Sequence, residues 1–79
     1  AASPMENFLF YLYHRSIQQP LPCYIKENKT FIADYLGIDK RSLYRYLNQF
    51  EKEGYLRREK QAILISEENL GLIKKRLGF

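Results

Sequence analysis

The chain has 79 residues, of which 46% are hydrophobic and 28% are charged. This length predicts a single domain, residues 1–79, built on one core, and the twelve Phe and Tyr residues exclude a disordered composition. The only cysteine, Cys23, excludes an internal disulfide and a cysteine-based metal site, and agrees with the cytoplasmic location that we expect. The apolar run 8–13 is much shorter than the roughly 20 residues of a membrane span, so no membrane partner is expected.

Positive charge is concentrated in one segment of the chain. The net charge is +4 at pH 7. Residues 40–60 contain seven Lys or Arg and three Glu, whereas the rest of the chain holds six basic and six acidic side chains. A surplus confined to one segment favours a polyanionic partner such as nucleic acid.

The first predicted helix runs from about Met5 to Ile17, with Ser3 as N-cap and Pro4 in the first helical position. Its apolar residues at spacings of three and four form a stripe that should face the core. Other apolar residues lie off this stripe, so the helix is apolar nearly all round. This predicts a partner interface made of Phe10, Tyr11 and Ile17.

Three further helices follow from their capping residues. Asn28 caps a helix from Lys29 to Leu36, which Gly37 ends in a left-handed turn. Asp39 caps the next helix, which reaches about Glu53, and Ser66 caps the last. The expected core residues of the second helix are Phe31, Ile32, Tyr35 and Leu36.

The remaining segments predict β structure. Residues 23–25 form a short strand, and residues 55–57 and 62–65 form a hairpin around a polar tip at 58–61. The order is helix, strand, helix, turn, helix, hairpin, helix. We therefore predict a mainly α fold with a small β-hairpin wing at 55–65, the winged helix-turn-helix.

The third helix has two distinct faces. Leu43, Tyr46, Leu47 and Phe50 should pack on the core, and Arg41, Arg45, Asn48 and Lys52 lie opposite. A charged face is most often only solvated. Here, however, it carries no acid, and Arg and Asn are the side chains that pair with guanine and adenine edges. Since the second helix of a helix-turn-helix enters the major groove, we expect helix 39–53 to read DNA bases.

Other polar residues are expected to hold the DNA backbone. The wing tip of a winged fold lies near the phosphates, and the amide end of the second helix offers a further anion contact. The expected phosphate-contacting residues on these grounds are Lys29, Asn48, Arg57, Arg58 and Lys60.

From Asn28 onward, the segment NKTFIADYLGIDKRSLYRYLNQFEKEGYLRREKQAILIS resembles the C-terminal DNA-binding domain of the CRP/FNR transcription regulators. The residues in register with the family pattern are Ile32-Ala33, Leu36-Gly37, Arg45, Leu47, Phe50, Gly54-Tyr55-Leu56 and Ile63-Leu64-Ile65. The resemblance implies base contacts from the start of the third helix and from its following Arg. It also implies a phosphate contact from Asn28, which stands where the family has a Thr. With Tyr44 on the flank of the polar face, the expected base-reading residues are Lys40, Arg41, Ser42, Tyr44 and Arg45.

The resemblance also implies a bacterial-type regulator that binds double-stranded DNA as a homodimer. The effector-sensing domain of such regulators has no counterpart in this chain, so we expect a domain excised from a longer protein, with residues 1–4 as a cloning remnant. Where the family commonly has Arg-Glu, this chain has Lys40-Arg41. That change replaces an acceptor with a donor and predicts a different preferred site, with Arg41 on a base or a phosphate.

Two alternatives remain. The fold could serve as a protein-interaction or assembly module that docks through the apolar first helix. Binding of left-handed duplexes is a narrower alternative. It is disfavoured because the winged-helix proteins that bind such duplexes carry an Asn-Arg pair where this chain has Tyr44-Arg45, and because their Trp-containing wing is missing. No enzymatic activity, cofactor or metal is expected, because His14 is the only histidine and no phosphate-binding loop or nucleophile motif occurs.

Overall fold

The structure is a computed structural model that describes residues 2–79. Ala1, the first residue of the expected cloning remnant, lies outside them. The elements in chain order are α1 (Pro4–Ser16), β1 (Cys23–Ile25), α2 (Lys29–Leu36), α3 (Lys40–Glu53), β2 (Arg57–Glu59), β3 (Ala62–Ile65) and α4 (Glu67–Leu77). This order confirms the mainly helical winged helix-turn-helix.

The strands form one antiparallel sheet in the order β1-β3-β2. The central strand β3 is buried at all four positions, and it pairs Ile65 with Cys23 of β1 and Leu64 with Arg57 of β2. The sequence predicted β1 and the hairpin as separate features, so their pairing is new. The first hairpin strand begins at Arg57, two residues later than predicted.

The predicted capping residues explain where the helices begin and end. The Oδ1 atom of Asn28 accepts from the Thr30 amide at 2.7 Å, and Oδ1 of Asp39 accepts from the Ser42 amide at 2.7 Å. Between α2 and α3, Gly37 has a φ of 71°, a left-handed conformation that costs glycine little. The sharp turn that orients α3 against α2 therefore follows from local sequence.

One core joins the four helices with β1 and β3. Phe8 of α1 stacks on Phe50 of α3, with ring centroids 5.4 Å apart, and both side chains are fully buried. The sheet contributes Ile63 and Ile65, and α4 contributes Ile73. The face of α3 that carries Phe50 is therefore fixed against α1, and its opposite face is turned to solvent.

Two of the predicted core residues in α2 are wrong. Phe31 is 55% exposed and Tyr35 is 65% exposed, whereas Ile32, Ala33 and Leu36 are buried. An eight-residue helix has room for more than one apolar stripe. The small Ala33 lies on the stripe that is buried, and the two rings lie outside it.

Tyr11 also differs from its predicted place. It is 9% exposed, and its hydroxyl donates to the carboxylate of Glu27, which also pairs with Arg15. Tyr11 is thus turned towards the loop before α2 instead of forming part of an open partner interface. Of the predicted interface, Phe10 is half-buried beside Phe79 and Ile17 is 50% exposed.

Candidate nucleic-acid interface

The polar face of α3 is exposed along its length. Leu43, Leu47 and Phe50 are fully buried, and Tyr46 is half-buried beside them. The residues on the opposite side are all exposed, namely Arg41, Arg45, Asn48 and Lys52. The structure therefore has the two faces that helical spacing predicted.

A short network organises the first turn of α3. The Ser42 amide donates to Asp39, and Nη2 of Arg45 donates to Ser42 Oγ at 3.5 Å. The hydrogen bond from the Ser42 amide is the main reason that the pKa of Asp39 lies below its ordinary value, with Arg41 and Arg45 adding weaker electrostatic contributions. Asp39 thus caps α3 by accepting from the Ser42 amide.

The other predicted base-reading residues lie at the same end of α3. Lys40 and Arg41 are exposed, Tyr44 is 41% exposed, and Ser42 is half-buried. Lys40 and Tyr44 line a small groove with residues from the start of α2 and from the wing turn; those residues include Asn28, Lys29 and Gln61. The fold therefore brings the start of both helices and the wing turn to one surface.

Arg58 of the wing is engaged within the domain. Its Nε and Nη2 atoms donate to Glu51 Oε1 at 3.0 and 2.9 Å, and Nη2 donates to Asn48 Oδ1 at 2.6 Å. Its amide donates to Glu51 Oε2 at 3.2 Å. Two predicted phosphate-contacting residues, Arg58 and Asn48, thus contact each other.

Sequence reasoning missed the role of Glu51. Glu51 and Arg58 lie seven residues apart and on either side of the end of a helix, so neither helical nor strand periodicity relates them. The pKa of Glu51 lies below its ordinary value, first because of the hydrogen bond from the Arg58 side chain. The only signal of this contact in the sequence was an acidic residue shortly before a basic hairpin.

Lys29 reaches the wing from α2. Its Nζ atom donates to the main-chain oxygen of Gln61 at 2.8 Å. Burial is the main reason that the pKa of Lys29 lies below its ordinary value, and the positive charge of Arg58 lowers it further. In contrast, the wing residues Arg57 and Lys60 are exposed, and Lys60 occupies the turn with a φ of 56°.

Two further observations on residues 2–79 concern membrane spans and metal ligands. No helix there is long and apolar enough to cross a membrane, and no group of three potential metal ligands occurs there. Cys23 is buried in β1 at 2% exposure. The candidate site is the exposed basic surface of α3 and the wing.

The fold and this surface define a winged helix-turn-helix domain in which α3, the second helix of the helix-turn-helix pair, is basic. The family model of the Crp-like helix-turn-helix domain matches residues 6–73, which is most of the chain. The chain therefore belongs to the Crp-like helix-turn-helix domain family, whose members are DNA-binding domains of transcription regulation and are in general non-enzymatic. A search of curated proteins and a search of solved structures each found no match.

Proposed function

We propose that this domain binds double-stranded DNA sequence-specifically, with α3 in the major groove and the β2–β3 wing on the phosphate backbone. One observation carries the proposal: the face of α3 opposite its buried residues is exposed, basic and free of acidic side chains. A helix fits the major groove of B-DNA, where base edges present distinct donor and acceptor patterns. Membership of the Crp-like family supports the same partner.

Base reading falls to the N-terminal half of α3. Arg45 and Arg41 are the main candidates, because a guanidinium can donate two hydrogen bonds to one guanine. Lys40, Ser42 and Tyr44 flank them and complete the base-reading set. Helix-turn-helix proteins use this part of the recognition helix to contact base edges.

Backbone contacts come from both sides of α3. Arg57 and Lys60 on the wing, and Asn28 and Lys29 at the start of α2, would position the domain on the phosphates. Arg58 and Asn48 line the groove between α3 and the wing, where Glu51 and Lys52 also lie. Such contacts orient the helix without selecting a sequence.

We further propose that two copies bind together, with one recognition helix in each half-site. In this arrangement the half-sites are one helical turn apart, about 34 Å centre to centre. The CRP/FNR resemblance supports this mode of binding. The alternative of an assembly module gains no specific support, because Tyr11 is buried and Phe10 is half-buried on α1. Sedimentation with and without duplex DNA separates the two functions.

A salt titration of duplex affinity tests the proposal. Fluorescence anisotropy should show affinity that falls linearly with salt on logarithmic axes and that exceeds the affinity for a scrambled duplex. The double variant Arg41→Gln/Arg45→Gln should lose this preference. The control Lys74→Gln/Lys75→Gln removes two charges from exposed positions in the last turn of α4 and should keep it. A wild-type domain with no salt slope and no preference would contradict the proposal.

A further inference from the structure

The wing is joined to the recognition helix by a bridge between Glu51 of α3 and Arg58 of β2. The bridge is a two-atom contact, since Nε and Nη2 of Arg58 both donate to one carboxylate oxygen. The side chains of Arg58 and Glu51 are 31% and 38% exposed. Arg58 is therefore partly enclosed at the place where its side chain was expected to face DNA.

The bridge also reaches the backbone of the wing. β2 is an edge strand of the sheet, and the amide of Arg58 donates to Glu51 Oε2 at 3.2 Å. Glu51 thus supplies a partner to an edge amide, a group that a neighbouring strand would otherwise satisfy. The contact therefore involves the main chain of β2 as well as the side chain of Arg58.

The wing is held at its turn as well. Lys29 donates to the main-chain oxygen of Gln61 at 2.8 Å, and the Tyr24 hydroxyl donates to Glu59 Oε1 at 3.3 Å. These contacts tie the hairpin to α2 and to β1. The Glu51–Arg58 bridge is the corresponding connection to α3, and Asn48 extends it one turn along the helix by accepting from Arg58 at 2.6 Å.

We propose that the Glu51–Arg58 bridge sets the position of the wing relative to the recognition helix, so that Arg58 is a positioning residue and not a phosphate contact. This inference rests on the proposed function of α3 and the wing in DNA binding. It assigns the wing's contacts with the DNA phosphates to Arg57 and Lys60, which are exposed. It also assigns a role in DNA affinity to an acid, Glu51, whose charge would by itself repel phosphate.

The direction in which Glu51→Ala changes DNA affinity separates a positioning role of Arg58 from a phosphate contact. If Arg58 bound phosphate, Glu51→Ala would release it and tighten DNA binding. If the bridge positions the wing, Glu51→Ala should instead weaken affinity for the preferred duplex by about threefold to tenfold. The control Glu53→Ala removes the same charge from an exposed position two residues away and should leave affinity equal or slightly tighter.

A conservative substitution of Arg58 supplies a second comparison. Arg58→Lys keeps the positive charge but loses the fork that makes two parallel hydrogen bonds. The positioning role predicts that Arg58→Lys weakens binding nearly as much as Arg58→Ala, and that the double variant Glu51→Ala/Arg58→Ala is no weaker than either single variant. Near-normal affinity of Arg58→Lys, or tighter binding by Glu51→Ala than by Glu53→Ala, would overturn the inference.

Hydrogen exchange without DNA tests the bridge separately from the proposed function. In the Glu51→Ala domain the Arg58 amide should exchange at least about tenfold faster than in Glu53→Ala, since a lost acceptor exposes an edge amide. Cooperative thermal unfolding checks that both variants fold. Unchanged exchange would mean that the bridge does not hold the strand. If exchange accelerates but the wild-type domain binds no duplex selectively, the bridge stands and the positioning role falls with the proposed function.

Discussion

The side-chain amide of Asn69 donates to the main-chain oxygen of Gly54 at 2.7 Å and so joins the start of α4 to the end of α3. Asn69 is 8% exposed, and its Oδ1 atom accepts from the Ser66 amide at 3.0 Å. Ser66 Oγ accepts in turn from the main-chain N–H of Asn69, which completes a capping box. The C-terminal end of α3 is thus joined to the start of α4 by a partly buried hydrogen bond.

The conformation of Gly54 at this junction gives a first prediction. Its φ is 87°, and a Cβ atom added there would lie 3.0 Å from Cδ1 of Leu72. Gly54→Ala should therefore lower the free energy of unfolding by about 1–2 kcal/mol. Gly71→Ala is the control, because Gly71 is within α4 with no atom within 4 Å of the added Cβ. It should raise the free energy of unfolding by about 0.5–1 kcal/mol in urea titrations. Equal effects of the two substitutions would contradict the account.

The limits of sequence reasoning depend on the range of each interaction. Helix ends were predictable because Asn28, Asp39 and Ser66 bind amides two or three residues ahead. The same holds for the exposed face of α3, which follows from helical spacing alone. The pairing of β1 with β3 and the bridge between Glu51 and Arg58 depend on tertiary structure, so no local pattern encodes them.

Aromatic residues were the hardest to place. Phe31 and Tyr35 are large and apolar, so they were expected in the core of α2, but the short helix buries Ala33 instead. Tyr11 was expected in a partner interface on α1, but it is only 9% exposed and its hydroxyl donates to Glu27, 16 residues away. In both cases an aromatic side chain can lie either in the core or at the surface, and its tertiary contacts decide which.

The revised core of α2 leads to a second prediction. Ile32→Ala should lower the free energy of unfolding by about 2–5 kcal/mol, because Ile32 is fully buried and its loss leaves a cavity. Phe31→Ala, the adjacent control, should change it by no more than about 0.5 kcal/mol, since the ring is 55% exposed. Denaturant titrations of both variants provide the comparison. A larger loss for Phe31→Ala than for Ile32→Ala would restore the original assignment.

The two perturbed carboxylates give a third prediction. Hydrogen bonds lower the pKa of Asp39 and of Glu51 in the folded domain, from ordinary values of 3.8 and 4.5. A lowered folded pKa means that the unfolded chain binds the proton more tightly. The stabilisation is therefore complete above these ordinary values and is lost as pH falls through the folded pKa values.

Thermal unfolding as a function of pH measures this effect. The wild-type midpoint should fall as pH is lowered from about 5 to 2, and Glu51→Gln should show a shallower fall because one of the two groups no longer titrates. Glu53→Gln serves as the control and should follow the wild-type curve more closely. If Glu51→Gln and Glu53→Gln have the same pH dependence, Glu51 makes no special contribution.

Base reading by Arg45 gives a fourth prediction. Arg45→Ala should reduce the difference in binding free energy between the preferred duplex and a random duplex by about 1–3 kcal/mol. Lys60→Ala should instead weaken both duplexes alike and reduce the salt slope by about 1, as expected for a lost phosphate contact. Anisotropy titrations with both duplexes at several salt concentrations separate these outcomes. Equal losses on the two duplexes for Arg45→Ala would remove it from the base-reading set.

Selection of bound sites from a pool of random duplexes tests the central claim most directly, since it asks whether the basic face of α3 selects sequence at all. The wild-type domain should enrich one short motif, and Arg41→Gln/Arg45→Gln should enrich a different motif or none. When two copies bind, the motif should recur after about 10 base pairs in inverted orientation. A wild-type pool that remains random after repeated rounds, despite measurable binding, would contradict sequence-specific recognition by α3.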